Sequence, residues 1–120
     1  MARITAVFDD LLLGSNVAGA LKAAGHDVEL VGAPDQLADD AGDVLVVDLG
    51  SSAFDGVALV ERLRLSGGLR GARTLGVYSH VEHDVRLRAE AAGFDLVVPR
   101  SRMAREGPAL VQRLTAPAGG

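Results

Sequence analysis

Cysteine and tryptophan are absent from this chain of 120 residues, and its only aromatics are Phe8, Phe54, Phe94 and Tyr78. Without cysteine there is no disulfide, no thiolate nucleophile and no cysteine-held metal. With so few rings, the core is expected to be Val, Leu and Ala packed in layers, which suits helices on a parallel sheet. No charged-then-apolar leader and no apolar run long enough to span a bilayer is visible, so a cytoplasmic protein that meets no membrane is expected. Positive charge is also scarce. Twelve Lys plus Arg face 16 Asp plus Glu for a net charge of -4, which leaves no broad basic field for DNA or RNA. Lysine itself has nearly vanished, Lys22 being the only one among the 12 basic residues.

What remains is a chain with 48% hydrophobic residues, enough for one ordinary core and too short for two. One domain over residues 1–114 is expected, followed by a small, polar tail at 115–120 that reads as disordered. Apolar runs too short for helices alternate with longer stretches of helical period, the pattern of repeated βα units. The strands are expected at Ile4–Phe8, His26–Val31, Val44–Val47, Thr74–Tyr78 and Leu96–Val98. Between them, Leu13, Val17, Leu21 and Ala24 form one helical stripe that Gly25 closes. Further helices are expected at Pro34–Asp40, Gly56–Leu65, Glu82–Ala92 and Pro108–Leu114, with proline opening the first and last of these. The fold class is therefore α/β, flavodoxin-like, with a doubly wound five-stranded parallel sheet in the order 2-1-3-4-5 and helices on both faces.

Right-handed crossovers place every parallel strand's carboxyl end on one edge, where open α/β sheets bind ligands. That edge collects Asp9 and Asp10 after the first strand, Asp48 after the third, Ser79 after the fourth and Arg100 after the fifth. Converging carboxylates repel one another unless a cation neutralises them, and Mg2+ does so with a few carboxylates while keeping waters for exchange. With a cation opposite, the group reads as a phosphoryl-transfer site.

These residues resemble the receiver domains of two-component response regulators, over nearly the whole chain. Asp9-Asp10 resembles the acidic pair that binds metal there, Asp48 matches the phosphoacceptor, and Asp55-Gly56 follows it at the family's spacing. Ser79 falls at the switch hydroxyl, Gly93-Phe94-Asp95 resembles the Gly-Ala-Asp segment, and Arg100 stands where the family has its active-site lysine. Gly50 would supply the backbone carbonyl of the metal site. Three positions depart from the pattern: Ser51-Ser52 replaces Met-Pro, Ser101 replaces proline, and Val97 replaces the aromatic of the fifth strand. The resemblance implies a non-enzymatic, stand-alone receiver that accepts a phosphoryl group on Asp48 with Mg2+ bound by Asp9, Asp10, Asp48 and Gly50. Its partners would be a histidine kinase or phosphotransfer protein and a separate output protein, with a homodimer as a further state.

Two other readings stand beside it: a pseudo-receiver acting as a phosphorylation-independent interaction module, and a small-ligand binder. The second has no G-x-G-x-x-G and no P-loop behind it. Arg100 is either compositional drift from lysine or a redesign toward bidentate phosphate binding. His80, Glu82, His83 and Asp84 have the composition of metal ligands but fit a solvated helix start. Leu11, Leu12 and Leu13 are unusual beside an acidic pair; a tightly packed helix entry under the first helix is expected, the alternative being one leucine at the crevice mouth as a partner contact.

Overall fold

The computed structural model describes residues 2–79 and 83–116. Five strands, β1 (Arg3–Val7), β2 (Asp27–Val31), β3 (Val44–Asp48), β4 (Arg73–Tyr78) and β5 (Leu96–Pro99), form one sheet in the order β2-β1-β3-β4-β5. Every pairing is parallel. The helices are α1 (Leu11–Ala23), α2 (Gly56–Ser66), α3 (His83–Ala91) and α4 (Arg100–Thr115). This is the expected flavodoxin-like architecture.

Strand side chains alternate between two cores, as a pleat of period two requires. On one face Ile4, Phe8, Val44, Val46, Leu75, Val77 and Val98 meet Val17 and Leu21 of α1 and Met103, Leu110 and Val111 of α4. On the other, Val7, Leu45, Val47, Leu49 and Tyr78 meet Val57 and Val60 of α2 and Ala89 of α3. The β3 residues Val44–Val47 are all fully buried, which explains why that segment carries no polar residue until Asp48.

Three expectations are corrected. The helix expected at Pro34–Asp40 is a single 3₁₀ turn at Pro34–Gln36; Leu37 leaves it in an extended conformation, and Asp39, Asp40 and Gly42 favour turns over helix. The helix expected to open at Pro108 begins at Arg100, so Pro108 lies inside α4 and not at its start. Proline fits a first turn best, but the apolar positions Met103, Leu110 and Val111 hold the helix together across it. Thr115, assigned to a tail, is the last residue of α4, its hydroxyl donating to the carbonyls of Val111 and Gln112. The rest of the expected tail, 117–120, lies outside the described residues, as does the start of the helix expected at Glu82.

Among the described residues no helix is long and apolar enough to cross a membrane.

Candidate functional site

Asp48 ends the most deeply buried strand, and its side chain is 1% exposed. Among the described residues it is the only buried charged side chain; the other buried polar residues, Thr5 and Thr74, have hydroxyls engaged with Ala41 and Asp95. Asp48 Oδ1 accepts from the Gly50 amide at 2.9 Å, which folds the chain back at the strand end. Arg100 Nη2 lies 3.6 Å from the same oxygen. Oδ2 is buried with no partner among the described residues, and so is Nε of Arg100. A buried polar atom left unpaired is costly, so these two atoms mark a site adapted to something further.

Burial raises the Asp48 pKa above the ordinary carboxylate value, opposed by the Gly50 amide and the Arg100 charge and reinforced by the nearby negative charge of Asp9. The structure therefore brings Asp9, Asp48, Gly50 and Arg100 together. Asp10 is placed differently. It is the N-cap of α1, exposed, with Oδ1 accepting from the Leu13 amide at 3.1 Å. Ser79 follows β4, half-buried, on the edge that the pairing of Asp48 with Val77 defines.

The three-carboxylate cage expected from Asp9, Asp10 and Asp48 does not close: among the described residues no three acidic or imidazole side chains are gathered around a common point. The donors still suit Mg2+, which takes one or two carboxylates and keeps several waters. An unpartnered carboxylate oxygen on Asp48, with the charge of Asp9 beside it, is such a set. Of the alternative ligand group, His80 and Glu82 lie outside the described residues, and His83 and Asp84 are exposed.

Gly56 explains the Asp55-Gly56 spacing physically. A Cβ there would stand 2.7 Å from Val47 Cγ1 and 3.1 Å from the Asp48 carbonyl oxygen, so α2 starts against the very strand end that carries Asp48. Asp55 caps α2 through the Ala58 amide, and Arg88 of α3 donates to its other oxygen at 3.0 Å. The Ala58 amide first, then Arg88, hold the Asp55 carboxyl below the usual range. Sequence reasoning missed Arg88, because an exposed arginine on a polar helix carries no signal until α3 is docked. Leu13 packs on the first core, whereas Leu11 and Leu12 are 73% and 74% exposed at the start of α1, adjacent in sequence to the acidic pair.

Sheet order, the buried acid at the end of β3 and the cation reaching it from the start of α4 define the class: the chain has the receiver-domain fold. Solved structures agree. A Francisella response-regulator receiver domain superposes with a TM-score of 0.79 at 15% identity, covering 95% of this chain and 96% of that one. The receiver domain of NtrX from Brucella abortus gives 0.81 at 20% identity, covering 94% and 99%. CheY4 of Vibrio cholerae, a chemotaxis response regulator, gives 0.79 at 20% identity, covering 95% and 98%. No family model and no curated protein matches the chain.

Proposed function

We propose that this chain is a receiver domain that takes a phosphoryl group on Asp48 from a phosphohistidine donor. The observation that carries this reading is the buried, partly unpaired Asp48–Arg100 couple at the ligand-binding edge of the sheet. A carboxylate oxygen of Asp48 would attack phosphorus in line with the donor's P–N bond. The new P–O bond forms as the P–N bond breaks, and the imidazole leaves with the electron pair, giving an aspartyl phosphate.

The chain's own residues divide the work. Gly50 holds Oδ1 through its amide, fixing the carboxylate. Arg100 supplies a cation for the incoming phosphoryl oxygens. Asp9 and Asp48, with the Gly50 carbonyl, would hold Mg2+, whose chemistry when bound is to neutralise phosphoryl charge. The donor protein would be a histidine kinase or phosphotransfer protein in the cytoplasm, with exposed Leu11 and Leu12 beside the site as an apolar contact. The protein would signal to a separate output partner and not turn over substrate as an enzyme.

A second reading, a phosphorylation-independent interaction module, is favoured by one observation: Asp10 is engaged in capping α1. One experiment separates the two. Incubated with Mg2+ and acetyl phosphate, the receiver gains the mass of one phosphoryl group, and Asp48→Asn or chelation of the metal abolishes the gain. A protein that stays unmodified under those conditions is the interaction module.

A further inference from the structure

We propose that phosphorylation of Asp48 is read out through the first turn of α4, with Arg100 as the reader, and not through the end of β4. The proposal rests on the receiver reading above and adds the route by which that site is sensed.

Arg100 is at once the side chain that meets Asp48 and the first residue of α4, directly after Pro99 pairs with Tyr78 in the sheet. No flexible connection separates the cation from the helix, so a force on one is a force on the other. The Asp48 side chain, 1% exposed, meets a donor only if a neighbour gives way, and Arg100, 39% exposed, is the contacting side chain with room to do so.

Among the helix starts whose caps are described, that of α4 is the poorly satisfied one. Asp10 caps α1 and Asp55 caps α2, but Pro99 gives α4 no side-chain cap. Its first turn holds no acid and carries Arg100 and Arg102, cations at the positive end of the helix dipole. The present Asp48 contact relieves this only in part, since it is one long approach of 3.6 Å that leaves Arg100 Nε and Asp48 Oδ2 both unpaired.

A phosphoryl group on Asp48 changes this balance. It brings oxygens that the planar guanidinium can engage through Nε and Nη2 together, and an anion beside free first-turn amides. The first turn of α4 is expected to tighten around it. Met103, one turn on, is buried in the first core and carries the change inward, while Ser101, Ala104 and Arg105 present it to solvent. The competing route is less well equipped: β5 carries Val97 and no aromatic, and Tyr78 is already packed in the second core.

The test uses the full chain with Mg2+ and acetyl phosphate, following the phosphoryl mass and amide hydrogen exchange in the same sample. In the labelled protein, protection at Arg100–Met103 is expected to rise about tenfold, the scale of one charge-assisted hydrogen bond, and equally in Ser79→Ala. In whatever fraction of Arg100→Lys carries the label, most of the gain is expected to be lost, since an ammonium cannot bind through a planar fork. Labelled protein whose exchange changes at Tyr78 and Ser79 but not in α4 overturns the proposal. So does a full gain in Arg100→Lys. A chain that takes no phosphoryl mass overturns the receiver reading and this proposal together, and the mass alone identifies that case.

Discussion

Asp48 and Asp55 are seven residues apart and titrate in opposite directions, because one is buried against a single loose cation and the other sits at a helix start. Desolvation raises the Asp48 pKa. Its folded form therefore contributes stability at pH below the unfolded value of 3.8, and that contribution is lost as pH rises through the higher folded value. Asp48→Asn is accordingly expected to melt at a higher temperature than the parent at pH 7, with the advantage shrinking as pH falls toward 4. Thermal melts across that range check it; a lower melting temperature at pH 7 would mean that the Arg100 pair outweighs desolvation. Asp55, held low by the Ala58 amide and Arg88, loses its stabilising share only as pH falls below 3.8. The residue types at the site were legible in the sequence, since strand ends announce themselves where an apolar run stops. The separate duties of Asp9 and Asp10 were not, because whether a carboxylate caps a helix or faces a crevice depends on the backbone angle at its own residue.

Among the elements, α4 shows how one proline misleads. Pro108 leaves the Ala104 carbonyl without its helical donor, yet the helix runs through it, with Gly107 before it and the buried Leu110 and Val111 beyond. Pro108→Ala restores that hydrogen bond and is expected to stabilise the protein by about 1 to 3 kcal/mol, read from denaturant midpoints. No gain would mean that the unfolded chain benefits as much as the helix. The shrunken second crossover has the converse origin. Residues 34–42 lack a helical apolar stripe, and the chain instead spends Asp40 on a turn to Gly42, whose amide donates to Oδ1 at 2.8 Å, and on Arg3, paired at 3.2 Å. Strands were easier to read than helices here because β3 and β4 are buried on both faces, so their apolar runs have sharp ends.

Across the molecule, the sheet joins two cores that share β3, and the lone tyrosine reports on one of them. Loss of Tyr78 near-ultraviolet ellipticity and loss of far-ultraviolet ellipticity are expected to coincide on heating, as one cooperative unit requires. Leu45→Ala removes a fully buried side chain from the centre of the second core. It is expected to cost about 3 kcal/mol, which lowers the melting temperature by roughly 10 °C. Separate transitions for the two signals would show that the two faces unfold independently. The alternation of apolar runs determined the strand number, the doubly wound class and the edge on which Asp9, Asp48, Ser79 and Arg100 must gather, because connection handedness leaves parallel strands few arrangements. Only the tertiary structure decided that Arg100 reaches Asp48 and that each member of the couple keeps a buried atom unpaired. Those outcomes depend on ångström-scale distances between segments about 50 residues apart, which no local pattern encodes.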